Sequence, residues 1–308
     1  MNAPDKAFIL ARQRPNQQST GTIMSNNAPI RKLPANLQGK DYVVGDLHGC
    51  FSLLERLLDA VHFDKSQDRL FSVGDLIDRG PDSLRCLQLL EESWFYAVQG
   101  NHENMMLNFF LPYLLNGNLD RLKDVAGTGF LDYGGDWVKS YYHAGKKSML
   151  PEFNRALTMI PKMPLMWIVG AGENRFHIIH AELVRPDYRT SQPAAWVDSD
   201  IDRWLAEQTI PPDVEDRLLW SRTLMLSESC ALDKAKIQPG LSPTFCGHTC
   251  STRPRQVLSH VCVDTGAFVS LESDPEADGN YGLTLFDVQA SRWVSASYRR
   301  NDVAWGEH

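Results

Sequence analysis

The chain has 308 residues, 43% of them hydrophobic and 22% charged, with 31 basic against 38 acidic side chains and a net charge of −7. This composition fits a folded chain with a sizeable core and excludes collagen-like, coiled-coil and wholly disordered classes. No apolar run approaches the ~20 residues that span a bilayer, and an acidic chain lacks the general field that draws nucleic acid or anionic membranes, so any phosphate site must bring its own positive charge.

Residues 1–38 are rich in Asn, Gln, Pro, Ser and Thr without a sustained period and read as a disordered polar tail. Residues 39–300 read as one large domain, followed by a short tail over 301–308. Tyr42–Val44 is a short apolar strand that runs into Gly45-Asp46. Leu53, Leu54, Leu57, Leu58 and Val61 recur at helical spacing. Leu70–Val73 is a second strand, again followed by Gly-Asp. Ser83–Leu90 is a second helix, and Phe95–Val98 a third strand shortly before Gly100-Asn101-His102. Strand, helix, strand, helix, strand is the signature of a parallel α/β sheet. Residues 104–163 read as a helical insertion broken by Gly127, Gly129, Gly134 and Gly135. Strand character returns at Met166–Val169, Phe176–Ile179, Thr244–Cys246, Val261–Val263, Leu283–Val288 and Trp293–Ala296, around a mixed stretch over 185–240. The expected fold class is α/β, with two facing mixed sheets flanked by helices.

In open α/β sheets ligands bind beyond the carboxyl ends of the strands, and polar clusters recur at those ends. Asp46 and His48 follow the first strand. Asp75, Asp78 and Arg79 follow the second, and Asn101, His102 and Glu103 the third. His180 and His248 end two later strands. Taken singly, each has an ordinary reading: Asp after Gly forms turns, and a lone His is commonly a hydrogen-bonded or surface residue. Together, Asp46, His48, Asp75, Asn101, His180 and His248 supply three oxygen and three imidazole donors. One octahedral ion would leave no open position; two ions sharing a carboxylate would leave room for water and substrate. Mixed oxygen and nitrogen donors suit Mn, Fe or Zn. Two ions ~3.5–4 Å apart activate water and clamp phosphate oxygens during in-line displacement.

The blocks Gly45-Asp46-Leu47-His48-Gly49-Cys50, Gly74-Asp75-Leu76-Ile77-Asp78-Arg79-Gly80 and Gly100-Asn101-His102-Glu103 resemble the signature motifs of the PPP-type serine/threonine protein phosphatases, within the calcineurin-like metallophosphoesterases. The bacterial and phage branch, typified by bacteriophage lambda protein phosphatase, is the most similar. His180-Ala181-Glu182, Trp220-Ser221-Arg222, Gly247-His248-Thr249 and Asp264-Thr265-Gly266-Ala267 agree in order. The resemblance implies that Asp46 and His48 bind one metal, that Asp75 bridges two, and that Asn101, His180 and His248 complete the pair, with Mn²⁺ the expected ion. It implies that His102 is the general acid oriented by Asp78, and that Arg79, Arg222 and Asn101 hold the phosphate. A hydroxide on the metals would attack a phosphorylated protein or a small phosphomonoester directly. Where the family usually has Arg before Gly-Asn-His-Glu, this chain has Gln99. Losing a charged phosphate contact costs ~1.5–3 kcal/mol, so weaker phosphate binding or an altered substrate preference is expected.

Two competing functions are distinguishable. Dinucleoside polyphosphate hydrolases on this scaffold commonly lack the Asp of Asp-Arg-Gly and carry Asp where this chain has Glu103. A non-catalytic scaffold would lose ligands or the acid, and here every such position is filled. His177 is expected to be structural, His143 exposed, and His62 at the end of the first helix. Trp137, Tyr141 and Tyr142 are candidates to line a substrate groove. The six scattered cysteines form no C-x-x-C pair and read as reduced thiols. With no apolar leader at the N-terminus, a cytoplasmic location is expected.

Overall fold

The central strands are short and buried along their whole length, so both of their faces must be covered. In the computed structural model, which describes residues 28–120, 122, 129–143, 148–185, 194–226, 236–271 and 280–308, the chain opens with β1 (Ile30–Leu33), β2 (Asp41–Val44), α1 (Phe51–Ala60), β3 (Arg69–Ser72), α2 (Ser83–Gln88), β4 (Phe95–Ala97) and α3 (Asn101–Asn116). The hairpin β5 (Tyr142–His143) and β6 (Ser148–Met149) leads to α4 (Pro151–Met159), β7 (Met166–Val169) and β8 (Phe176–Ile178). A second small hairpin, β9 (Val184–Arg185) and β10 (Ala194–Ala195), precedes α5 (Asp198–Glu207) and α6 (Pro212–Trp220). The chain closes with β11 (Thr244–Cys246), β12 (Arg255–Val257), β13 (His260–Cys262), β14 (Leu283–Asp287), β15 (Arg292–Ala296) and β16 (Ala304–Glu307).

Two mixed six-stranded sheets result, in the orders β16-β15-β14-β2-β3-β4 and β1-β7-β8-β11-β13-β12. Val43, Phe71 and Phe286 of the first sheet share one core with Trp167, Val169, Phe176, Ile178, Phe245 and Val261 of the second. Successive side chains on a strand point to opposite faces. Tyr42, Val44, Leu70 and Leu285 accordingly pack with Leu53, Leu54 and Leu57 of α1. Met166, Ile168, Cys246 and Cys262 pack with Ile201 and Trp204 of α5 and with Val214 and Leu218 of α6. The architecture is helices, sheet, sheet, helices, as the strand pattern implies.

Register sets the site. β2, β3 and β4 are parallel, with Val44 opposite Ser72 and Ser72 opposite Ala97, so their carboxyl ends are level. β8 and β11 are also parallel, with Phe245 opposite Ile178. Five strand ends thus deliver their loops to one edge of the double sheet.

Two expectations need correction. The polar tail does not extend to residue 38: β1 pairs in parallel with β7, Ile30 opposite Met166, and Ile30 is buried. The segment over 301–308 is no tail either, since β16 pairs antiparallel with β15. Both are edge strands whose order comes from a distant partner, which local periodicity does not record. The mixed stretch over 185–240 contains α5 and α6, and the insertion contains the β5–β6 hairpin as well as helix. Residues 1–27, Gly127 and Cys230 lie outside the described residues.

Candidate active site

The loops after β2, β3 and β11 turn sharply. Among the described residues, the non-glycine positions with positive φ include His48 (41°), Asp75 (49°), Asp78 (74°), Arg79 (69°) and His248 (68°). Such conformations cost about 1–3 kcal/mol each and persist where the surroundings over-determine them. Here they turn side chains of the loops beyond the strand ends toward one another. Close approach also needs glycine: a Cβ at Gly100 would collide with Asp75 Oδ1, and one at Gly247 with Asp46 Oδ1.

Asp75 lies at the centre. Its Oδ2 is 3.6 Å from His48 Nε2 and its Oδ1 is 3.5 Å from His180 Nε2. Among the described residues, two buried triads could each hold a cation, His48–Asp75–His102 and Asp75–His180–His248, and they share this carboxylate. Asp46 belongs to neither triad; its carboxylate accepts the His248 backbone N–H at 3.1 Å. Asn101 Oδ1 lies 2.9 Å from His180 Nε2, and His248 Nδ1 lies 3.1 Å from the same nitrogen.

The tautomers follow from the backbone. His48 Nδ1 donates to the Ile77 carbonyl and His180 Nδ1 to the Val73 carbonyl, both at 2.8 Å. Each ring therefore presents an unprotonated Nε2, the orientation that a carbonyl partner imposes on ligating histidines. Burial holds His48 and His248 well below the usual imidazole range, reinforced by Arg79 beside the first and Arg222 beside the second. Burial also holds His180 down. Both effects favour the neutral ring, the form that binds metal. Burial works to raise the Asp75 carboxyl, but the imidazoles of His180, His102, His48 and His248 outweigh it and hold it low. Burial, then the charges of Asp264 and Asp75, push Asp46 well up.

The donor set fits a pair of divalent cations. His180 Nε2 and Asn101 Oδ1 converge as two acceptors, and His248 Nε2 is buried with no hydrogen-bond partner. Converging lone pairs beside buried carboxylates are unfavourable unless a positive charge joins them.

His102 Nδ1 donates to Asp78 Oδ2 at 2.6 Å, and both side chains are buried. Arg79 donates from Nη1 to His48 Nε2 at 3.0 Å and from Nη2 to His102 Nε2 at 3.1 Å, and its guanidinium lies 4.3 Å from the Phe268 ring centre. Arg222 donates to the His248 carbonyl and to Thr249 Oγ1. Two guanidinium groups thus border a cluster otherwise built of carboxylates and imidazoles. Gln99 is half-buried, and its backbone N–H donates to the Pro164 carbonyl.

Two buried glutamates have roles that local pattern did not reveal. Glu103 accepts the backbone N–H groups of Gly100, Asp75 and Leu76. Glu182 accepts those of Leu224 and Met225 and the Ser221 hydroxyl. Their place inside the Gly-Asn-His-Glu and His-Ala-Glu blocks was the signal available. His177 is structural as expected: buried, bonded to Thr244 Oγ1 and accepting from Arg175 Nε. His143 is exposed, and His62 falls just beyond α1 with φ 53°. Neither Cys246 nor Cys250 enters a cation-ready cluster among the described residues.

Residues 42–251 match the family model described as calcineurin-like phosphoesterase. Serine/threonine-protein phosphatase 1 of Salmonella typhimurium is 32% identical over 228 residues, covering 73% of this chain and 86% of the relative. A symmetrical bis(5'-nucleosyl)-tetraphosphatase of Proteus mirabilis is 37% identical over 100 residues, 32% of this chain and 37% of the relative. The solved structure of a serine/threonine phosphatase from Saccharomyces cerevisiae is 18% identical with a TM-score of 0.47, covering 92% of this chain and 84% of that one. With a matching model across more than half its length and a relative aligned over most of both chains, this chain belongs to the calcineurin-like phosphoesterase family.

Proposed function

We propose that the chain is a protein serine/threonine phosphatase of the bacterial and phage type, hydrolysing phosphomonoesters at a two-metal site. The observation that carries this reading is the buried Asp78–His102 pair at 2.6 Å. A serine or threonine alkoxide is a poor leaving group and needs a proton as it departs. A nucleotide released from a polyphosphate is a far better one. An oriented imidazole is therefore worth most for the ester.

Asp46, His48 and Asp75 would hold one divalent ion; Asp75, Asn101, His180 and His248 would hold the other. Bound there, Mn²⁺, Fe or Zn would supply charge for the phosphoryl oxygens and acidify a water. Arg79 and Arg222, with Asn101, bind and orient the phosphoryl group through charged and amide hydrogen bonds. Arg79 turns from His102 Nε2 onto a phosphoryl oxygen as substrate arrives, which frees that nitrogen to carry a proton. The water oxygen bonds phosphorus as the ester P–O bond breaks. His102 Nε2 gives its proton to the leaving oxygen, so the products are an alcohol and inorganic phosphate. Asp78 balances the charge on the imidazolium.

A phosphothreonine peptide and diadenosine tetraphosphate, assayed side by side with Mn²⁺, test the reading. The expected result is a kcat/KM at least tenfold higher for the peptide. A preference for the dinucleotide would replace the proposal with the polyphosphate hydrolase that some relatives are named for.

A further inference from the structure

The Asp78–His102 pair has a third member. Trp137 lies in the insertion, on a 3₁₀ turn over Gly135–Ser140. Its indole Nε1–H donates to Asp78 Oδ1 at 2.8 Å, while Asp78 Oδ2 accepts from His102 Nδ1 at 2.6 Å. Both carboxylate oxygens therefore have a donor, one from each side, and the Asp78 backbone N–H is held by Ser83 Oγ at 2.9 Å. The indole is itself confined. It lies edge-on to Tyr141 and to Phe153, with ring centres 5.7 Å away in each case, and those two rings stack on each other at 5.2 Å. Three residues before it, Gly134 (φ 101°) brings the insertion against the Arg79 backbone, where a Cβ would come within 2.8 Å of Arg79 N. The insertion therefore touches both Asp78 and Arg79.

A half-buried indole N–H finds some acceptor in any fold. Here the acceptor is the second oxygen of the carboxylate that orients His102, and the ring that supplies the bond packs against Tyr141 and Phe153. A carboxylate held by one bond pivots about it, whereas one held at both oxygens keeps its plane, and so does the imidazole it faces. We propose that Trp137 is a positioning residue: it sets the plane of the Asp78 carboxylate and thereby the aim of His102 Nε2 at the leaving ester oxygen. This rests on the reading of His102 as the proton donor.

The role predicts a dependence on the leaving group. Proton delivery matters for phenyl phosphate, whose phenoxide leaves poorly, and little for 4-nitrophenyl phosphate, whose phenolate leaves unaided. With Mn²⁺, Trp137→Phe is expected to lower kcat on phenyl phosphate about tenfold, with KM unchanged, and kcat on 4-nitrophenyl phosphate less than twofold. The ratio of the two turnover numbers does not depend on the fraction of active protein. In an Asp78→Asn background, Trp137→Phe is expected to add no further loss. In metal-free protein, the His102 Nδ1 proton resonance is expected to shift in Trp137→Phe. Tyr141→Ala, which loosens the indole and spares its N–H, is expected to move the kcat ratio in the same direction by less. Equal losses on both esters, additive losses with Asp78→Asn, or an unmoved His102 resonance would overturn the proposal while leaving the phosphatase reading intact. A parent protein that hydrolyses neither ester would overturn both.

Discussion

His260 shows how one buried side chain couples stability to pH. Its Nδ1 donates to the Leu258 carbonyl at 2.9 Å, and its Nε2 accepts the Leu183 backbone N–H at 3.0 Å. Both ring nitrogens are satisfied only in the neutral form. Burial pushes the group down to about 4, against the opposing carbonyls of Leu258 and Val257. Above pH ~6.5 neither folded nor unfolded chain binds this proton, and there is no effect. Between ~6.5 and 4 the unfolded chain takes up a proton that the folded chain refuses, so stability falls as pH falls, by about 3 kcal/mol across the window. His177, pushed down to about 3 by burial and Arg175, acts in the same direction. His260→Gln is expected to flatten this slope, whatever it costs at pH 7. Urea midpoints from pH 7 to 4.5 check it, and a variant with the parent's slope would refute the assignment.

At the scale of elements, the site is held by glutamates that join segments rather than touch phosphate. Glu103 stands at the third position of α3 and reaches back to the Gly100 N–H that opens the helix. The same carboxylate grips Asp75 and Leu76 in the loop after β3, at 2.9 and 2.8 Å. It thus fastens the start of one element to the carboxyl end of another. Burial and the charge of Asp75 push it up to about 8, against three N–H donors that favour the ionised form. Glu103→Gln turns an amide N–H₂ toward backbone donors, leaving at least one unpaired. A loss of about 1–3 kcal/mol is expected, the cost of leaving a buried donor unsatisfied. Urea denaturation would measure it, with metal titration expected to show weaker binding. An unchanged midpoint would mean that the clamp contributes nothing.

Across the whole molecule, the cluster gathers donors from residues 46 to 248 on both sheets, with buried Asp46, Asp75 and Asp264 beside one another. A cation bound only by the folded chain relieves that repulsion and ties the sheets together. At 100 times its dissociation constant such a ligand adds about 2.7 kcal/mol, so Mn²⁺ is expected to raise Tm by about 5 °C or more over EDTA-treated protein. Equal melting curves would argue against a built cation site. Among the described residues no helix is long and apolar enough to cross a membrane. The strands carrying Asp46, Asp75, Asn101, His180 and His248 were legible from residue order alone, because a short apolar run ending in a polar turn is a local signal. So was the doubled sheet, since short strands that are apolar along their whole length must be covered on both faces. Trp137 on Asp78, Glu103 across two loops, and the edge strands β1 and β16 were not. Each depends on a partner 27 or more residues away, or on a neighbouring strand, and only the packed chain selects which distant donor meets which acceptor.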